Sequence, residues 1–257
     1  MDRQDRLFTA RIDDKIRQSL REYDTSFLGF LTPGEQIAAR RYLEETSEVS
    51  FTFSGGYADA ERAILMIKPE NGAIGFPPAD EYLSAVRITS YQEGKTLGHR
   101  DYLGSLIGMG LKREAIGDLL PYTDGKWQYC DAILLKSVRD QVCIDLERIG
   151  RTGVRVEPIG LENLHIPEKS FREIRDTVAS VRLDAVVSAG FSIGRAEAKS
   201  LTQKGLVSLN YEIALSPDAK VEEGDVISAR GYGKLRLEEI GGETKKQRVR
   251  IVIRKYI

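Results

Sequence analysis

Arg195, Lys199 and Gln203 stand four residues apart in a stretch, Ile193 to Lys204, whose pattern predicts a helix. All three then share one face while Ala198 and Leu201 turn toward a core. Ser192 is placed to cap this helix, and the open N–H groups of its first turn would carry partial positive charge beside Arg195. Guanidinium, ammonium, amide and helix end together are chemistry for holding phosphate. The same pattern also fits a solvated helix face, with Glu197 as a neighbouring counter-charge. Further on, Arg230-Gly231-Tyr232-Gly233-Lys234 combines two cations, a stacking ring and two glycines that allow close backbone approach, although a hairpin turn accounts for it equally well.

Short elements must position these groups. Gly190 and Gly205 each follow a short helical run, where a left-handed cap suits glycine. From Lys245 to Lys255 there are six basic residues and no acidic one. Val249, Ile251 and Ile253 alternate there with Arg248, Arg250, Val252 and Arg254, which predicts a strand with one apolar and one mostly cationic face. A basic edge strand that discourages aggregation is the plainer explanation.

The 257 residues carry a formal net charge of -1, which taken alone argues against a nucleic-acid partner. The charge is unevenly distributed. From Arg182 onward there are 14 Lys+Arg against 10 Asp+Glu, a net of +4, leaving 24 against 29, a net of -5, in the preceding residues. Attraction for phosphate is therefore expected at the C-terminal end, with the acidic part left to select a partner. Cys130 and Cys143 read as buried thiols. The charged start and the lack of an apolar run near the roughly 20 residues of a membrane span predict a cytoplasmic protein.

Upstream, Leu7, Ile12, Ile16 and Leu20 recur at spacings that predict a helix with one apolar face. Thr32-Pro33-Gly34-Glu35 reads as the start of a second helix running through Ile37 to Leu43. Val49 to Phe53 and Ala63 to Ile67 read as strands, closed by Gly55-Gly56 and Pro69. The next segment predicts strand 82–88, helix 99–109, strands 115–122 and 127–132, helix 136–149 and strand 154–159, a β-α-β-β-α-β order. Its third strand, Lys126 to Asp131, lacks the glycine pattern of an RNA-stacking RRM strand, so Trp127 and Tyr129 read first as sheet packing. Residues 160–181 read as a connector, with Phe171, Ile174 and Val178 at helical intervals.

The segment from Arg182-Leu183-Asp184 through Gly190-Phe191-Ser192-Ile193-Gly194-Arg195, Lys204-Gly205-Leu206-Val207 and Glu223-Gly224-Asp225-Val226 resembles an S4 domain, the small RNA-binding module of ribosomal protein S4. The resemblance narrows with Asn210-Tyr211, with Arg230 to Leu237, and with the run from His99-Arg100-Asp101-Tyr102 to Glu114-Ala115-Ile116-Gly117-Asp118. Together these are similar to the YlmH family of bacterial S4 proteins over most of the chain. The resulting expectation is an α+β protein with an N-terminal α+β unit (1–80) and an RRM-like, ferredoxin-like βαββαβ middle domain (81–160). A linker (161–181) and a C-terminal S4 domain with the αL-type RNA-binding fold (182–257) complete it. RNA contacts are expected at Arg182, Ser192, Arg195, Lys199, Gln203 and Lys204, with Asn210, Arg230 and Lys234 at the margin; those at Arg182, Ser192 and Lys204 are the ones the resemblance implies. It also implies rRNA and tRNA as partners, on a large ribosomal subunit carrying stalled peptidyl-tRNA, with a possible quality-control partner protein. An older family label implies cell division.

Constellations for catalysis fail on inspection. His99-Arg100-Asp101 resembles a kinase catalytic loop, but Leu106 stands where asparagine is required. There is no P-loop or dinucleotide fingerprint, and neither histidine has metal-like spacing to a cysteine. Arg182-Leu183-Asp184 has almost nothing but S4 sequence after it, unlike the catalytic Arg-Leu-Asp of pseudouridine synthases, and the signatures of a tyrosyl-tRNA synthetase are missing. A non-enzymatic RNA-binding adaptor without cofactor or metal is the leading expectation. An RNA-modifying enzyme using His99, Asp101 and Asp118, or a division-site interaction protein, are the alternatives.

Overall fold

The computed structural model describes residues 3–91, 96–168 and 170–256. Its contacts divide the chain into two compact units, Met1–Pro167 and Glu168–Ile257.

The first unit begins with α1 (Arg3–Glu22), β1 (Ser26–Leu31), α2 (Pro33–Leu43), β2 (Val49–Ser54) and β3 (Ala63–Pro69). Ile12 is buried and Phe8 and Ile16 pack beside it, a strict four-residue stripe. Leu7, expected on that face, lies off the stripe, and Leu20 continues its spacing; both are exposed. Thr32 caps α2 through a capping box: its hydroxyl accepts from the Glu35 N–H, and the Glu35 carboxylate accepts from the Thr32 N–H at 2.7 Å. The strands lie in the order β1-β3-β2, all antiparallel. Every residue of β3 is buried. Leu65 and Ile67 meet the core under the helices, and Ile64 and Met66 meet Leu83 and Ile133 of the following sheet. That explains a continuous apolar run rather than an alternating one.

Then follow β4 (Leu83–Tyr91), α3 (His99–Gly108), β5 (Ile116–Asp124), β6 (Trp127–Leu135), α4 (Lys136–Asp145), the short pair β7 (Arg148–Ile149) and β8 (Thr152–Gly153), and β9 (Arg155–Ile159). The sheet order is β5-β6-β4-β9 with antiparallel neighbours, the split arrangement that the β-α-β-β-α-β order demands. The helix expected over 136–149 stops at Asp145, because Arg148-Ile149 turns back through Gly150 to pair with Thr152-Gly153.

The second unit contains β10 (Phe171–Val178), α5 (Leu183–Phe191), α6 (Arg195–Gln203), β11 (Val207–Leu209), β12 (Glu212–Ile213), β13 (Val226–Ala229), β14 (Gly233–Glu243) and β15 (Val249–Tyr256). Its six strands run in the order β10-β15-β14-β13-β11-β12. Residues 171–178, expected to be helical, form an edge strand along β15. A spacing of four satisfies the helical period and the strand period alike: Ile174 and Val178 share the core-facing side opposite Ile253 and Val249. β15 is consequently interior, so its basic residues do not serve as an edge guard. Leu183, Val186, Val187 and Phe191 of α5 pack with Leu235, Leu237, Ile251 and Ile253, and full burial of each such side chain contributes about 1.5–3 kcal/mol.

Candidate nucleic-acid interface

The turn between α5 and α6 is built differently from the sequence expectation. Gly190 lies inside α5, buried, where any Cβ would overlap Leu235. Its value is close helix-to-sheet approach. Ser192 takes the left-handed position, φ 56° and ψ 43°, as the C-cap of α5, and its N–H donates to the Ser188 carbonyl. It is therefore not the N-cap of α6; Gly194 is, with no side-chain cap. Gly205 does occupy the expected left-handed position, φ 67°. The Gly205 N–H donates to Thr202 O at 2.9 Å and the Leu206 N–H to Leu201 O at 3.0 Å, which closes the C-terminus of α6 as a Schellman motif. Ala198 is fully buried and Leu201 packs against the core, as the helical face requires.

On the outward side the structure brings Arg182, Arg195 and Lys199 together around two carboxylates. Asp184, in the first turn of α5, accepts from Arg195 Nε and Nη2, both at 3.2 Å. Arg182 Nε lies 3.9 Å from Asp184 Oδ1, and its Nη2 lies 3.8 Å from Asp218 Oδ2. The Asp218 carboxyl is held below its ordinary pKa, first by the Ser216 hydroxyl and then by a backbone N–H, with Arg182 and Lys199 adding attraction. Asp184 is only 10% exposed while the side chains of Arg195 and Arg182 are 50% and 44% exposed. The carboxylate thus fixes the guanidiniums by one edge and leaves their other donors facing solvent. Three cations stand against two anions, so the cluster remains cationic.

Arg195 also lines a groove of about 320 Å³ with Ser192, Ser188, Thr177 and Arg248. Arg248 was not singled out from sequence as a contact. Its guanidinium donates to the Thr177 hydroxyl at 2.9 Å and to the Thr177 carbonyl. Gln203 and Lys204 are exposed at the far end of α6, about 12 Å along the axis from Arg195.

The marginal residues separate from this cluster. Asn210 is engaged structurally: its amide donates to Asp225 Oδ1 at 2.7 Å and its Oδ1 accepts from the Val226 N–H at 2.9 Å. Arg230 is exposed at the start of the β13–β14 turn, its N–H donating to Leu206 O at 2.9 Å. Tyr232 donates to Glu197 Oε1 at 2.6 Å, which raises the phenol's pKa and ties the turn to α6. Lys234 points to the opposite face of the sheet, between the rings of Tyr211 and Tyr256.

In the first unit, Trp127 and Tyr129 do not face the core of the four-stranded sheet. Trp127 is 47% exposed and edge-on to Tyr91. Tyr129 stacks on Tyr122 with centroids 4.9 Å apart, and Tyr122 meets His165 at 4.0 Å. Two of the polar trio considered for catalysis, Asp101 and Asp118, serve as structural acceptors. Asp101 accepts from the Gly98 N–H at 2.8 Å, capping α3. Asp118 accepts from Tyr57 Oη at 2.9 Å, the Glu61 N–H at 2.7 Å and the Arg62 N–H at 3.0 Å. His99 has its pKa lowered by the protein bulk around the ring and secondarily by Arg113, although its rim stays open to solvent. Cys130 is buried and Cys143 half-buried, and both are free thiols. Among the described residues no cluster could hold a metal, and no helix is long and apolar enough to cross a membrane.

A basic two-helix module on an antiparallel sheet, joined to a mixed α/β unit, defines an S4-domain protein of the RNA-binding class. The S4 domain model matches residues 181–227. Two further models match upstream: "YlmH, N-terminal" over residues 4–71 and "Putative RNA-binding domain in YlmH" over residues 77–163. The chain is 34% identical over 230 residues to ribosome-associated protein quality control protein P2 of Bacillus subtilis, covering 90% of this chain and 87% of that protein. It belongs to the YlmH family. A solved structure of cell division protein YlmH from Streptococcus pneumoniae shares the fold at TM-score 0.51 and 18% identity, covering 64% of this chain and 97% of that one.

Proposed function

We propose that this protein is a non-enzymatic adaptor that grips folded ribosomal or transfer RNA through its S4 domain. Its site of action would be the large ribosomal subunit bearing stalled peptidyl-tRNA, in ribosome-associated quality control. The observation that carries the reading is the half-open cluster of Arg182, Arg195 and Lys199, oriented by Asp184. Backbone-directed contacts of this kind recognise shape, which suits folded RNA. The Bacillus subtilis relative's name supplies the quality-control setting. The engagement of Asp101 and Asp118 by N–H donors favours this reading over a modifying enzyme built on His99, Asp101 and Asp118.

Co-sedimentation of the full chain with large subunits tests it. Arg195→Ala with Lys199→Ala should abolish co-sedimentation at physiological salt while lowering the unfolding free energy by no more than about 1 kcal/mol. The log-log dependence of affinity on salt should flatten by roughly 0.7–0.9 for each lost phosphate contact. An unchanged slope overturns the cluster's role in holding phosphate.

A further inference from the structure

The C-terminal sheet has a second side that the helices do not cover. Strand alternation places Leu235, Leu237, Ile251 and Ile253 in the core under α5 and α6, so Lys234, Arg236, Arg254 and Tyr256 face away. On that side Lys234 Nζ stands 5.7 Å from the Tyr211 ring centre and 5.4 Å from that of Tyr256. Tyr256 meets Phe171 of the neighbouring strand at 4.9 Å, and Arg254 lies 5.8 Å over Phe171. Phe171 is 41% and Tyr211 37% exposed. Cations and open rings therefore alternate across β14, β15 and β10.

Two features of this row are costly for a surface that serves folding alone. Arg236 and Arg254 are direct cross-strand partners, and like charges so placed repel. Glu238 relieves them only in part, at 3.5 Å from each. Tyr211 sits at φ 70° in a two-residue turn beside Asn210 at φ 48°, a conformation that bulky residues avoid. Two further carboxylates lie on this face: Glu173 already accepts from Arg175 at 2.8 Å, and Glu239, opposite Val252, attracts Arg175 as well. An anionic ligand with planar groups meets both the surplus charge and the open rings. An acidic peptide would meet only the charge.

We infer that this helix-free face binds a short unpaired run of RNA, with bases stacking on Phe171, Tyr256 and Tyr211 and phosphates lying along Lys234, Arg236 and Arg254. The inference rests on the RNA reading above for the class of ligand, and on a surface separate from the Arg195 cluster. One protein would then hold a folded RNA on its helix side and an adjoining single strand on its sheet side.

The test uses the full chain with two fluorescent probes, a short oligoadenylate and a stable RNA hairpin, read by anisotropy. Phe171→Leu with Tyr256→Leu keeps apolar bulk but removes stacking, and should weaken oligoadenylate roughly tenfold with hairpin affinity unchanged. Arg254→Gln leaves every ring in place and should weaken oligoadenylate alone. Arg195→Ala with Lys199→Ala should do the reverse, weakening the hairpin. The inference is overturned if both sheet-face variants bind oligoadenylate as the parent does, or if the Arg195 variant loses both probes equally. Binding of a glutamate-rich peptide in place of oligoadenylate also overturns it. A parent that binds the hairpin but no oligoadenylate refutes this inference alone, whereas one that binds neither refutes the RNA reading itself.

Discussion

Asp131 in the first unit and Asp184 in the second are both buried carboxylates gripped by arginine, yet they are finished differently. Asp131 is fully buried and accepts from Arg87 Nε at 2.8 Å, Arg87 Nη2 at 2.7 Å and the His165 N–H at 2.8 Å. Arg87 spends a further hydrogen bond on Asn163 O at 3.0 Å and is 25% exposed. Around Asp184 the contacts are longer, 3.2 Å, and Arg195 is half exposed. A closed pair satisfies itself and contributes to scaffold. An open pair directs donors outward, and only that kind is available to a ligand.

The largest expected effect follows from breaking the closed pair. Asp131→Ala leaves a half-buried guanidinium and a backbone N–H without their acceptor, and should cost about 3 kcal/mol. Trp127 is the single tryptophan, so its fluorescence during urea unfolding reports on the first unit. Affinity for RNA should not change. Asp184→Ala should cost only about 1 kcal/mol, because its arginines already reach water. Equal losses in the two variants would remove the distinction between closed and open pairs.

Much of the open site was legible because it is local. The Arg195-Lys199-Gln203 face, the Gly205 cap and the alternation of Val249, Ile251 and Ile253 each depend on neighbours within one element. The order of elements in the middle segment was legible for the same reason. What escaped depends on partners distant in sequence. Phe171, Ile174 and Val178 suit a helix until β15 supplies a strand to pair with. Ser192 takes the cap expected of Gly190 and Gly194 the one expected of Ser192, while Gly190 stays inside α5, where Leu235 leaves no room for a Cβ. β1, Ser26-Phe27-Leu28-Gly29-Phe30-Leu31, went unread because Gly29 interrupts its apolar run and the Thr32 cap follows at once. Asp184 counted only as a negative charge against a basic module. Its place two residues after Arg182, in a helix's first turn, was the available signal.

A conservative swap sharpens the comparison further. Lysine keeps the charge of arginine but not its planar fork, so it cannot reproduce a bidentate grip. Arg87→Lys should destabilise the first unit by about 2 kcal/mol, visible in Trp127 fluorescence, and leave RNA affinity alone. Arg195→Lys should leave unfolding unchanged and weaken binding of a folded RNA by about fivefold, roughly 1 kcal/mol. If Arg195→Lys instead shifts unfolding while RNA affinity holds, the open pair is scaffold after all.

The smallest effect is in pH, and its sign follows from where the titrating groups lie. Both histidines, His99 and His165, belong to the first unit, and the second has none. His99 is lowered from 6.5 by burial and by Arg113, so below pH 6.5 the unfolded chain takes up a proton that the folded unit resists. Stability is then lost as pH falls from about 6.5 toward the folded pKa, and levels off beneath it. Asp218 in the second unit is lowered from 3.8, so its contribution is present above that value and lost only as pH falls below it. Amide exchange at Ile88 and Ile253, taken between pH 7 and about 5, should show a decline in the first unit that is absent from the second. His99→Gln should remove His99's share of that decline. A parallel decline in both units would place its cause in groups common to the whole chain, and His99 would lose its role.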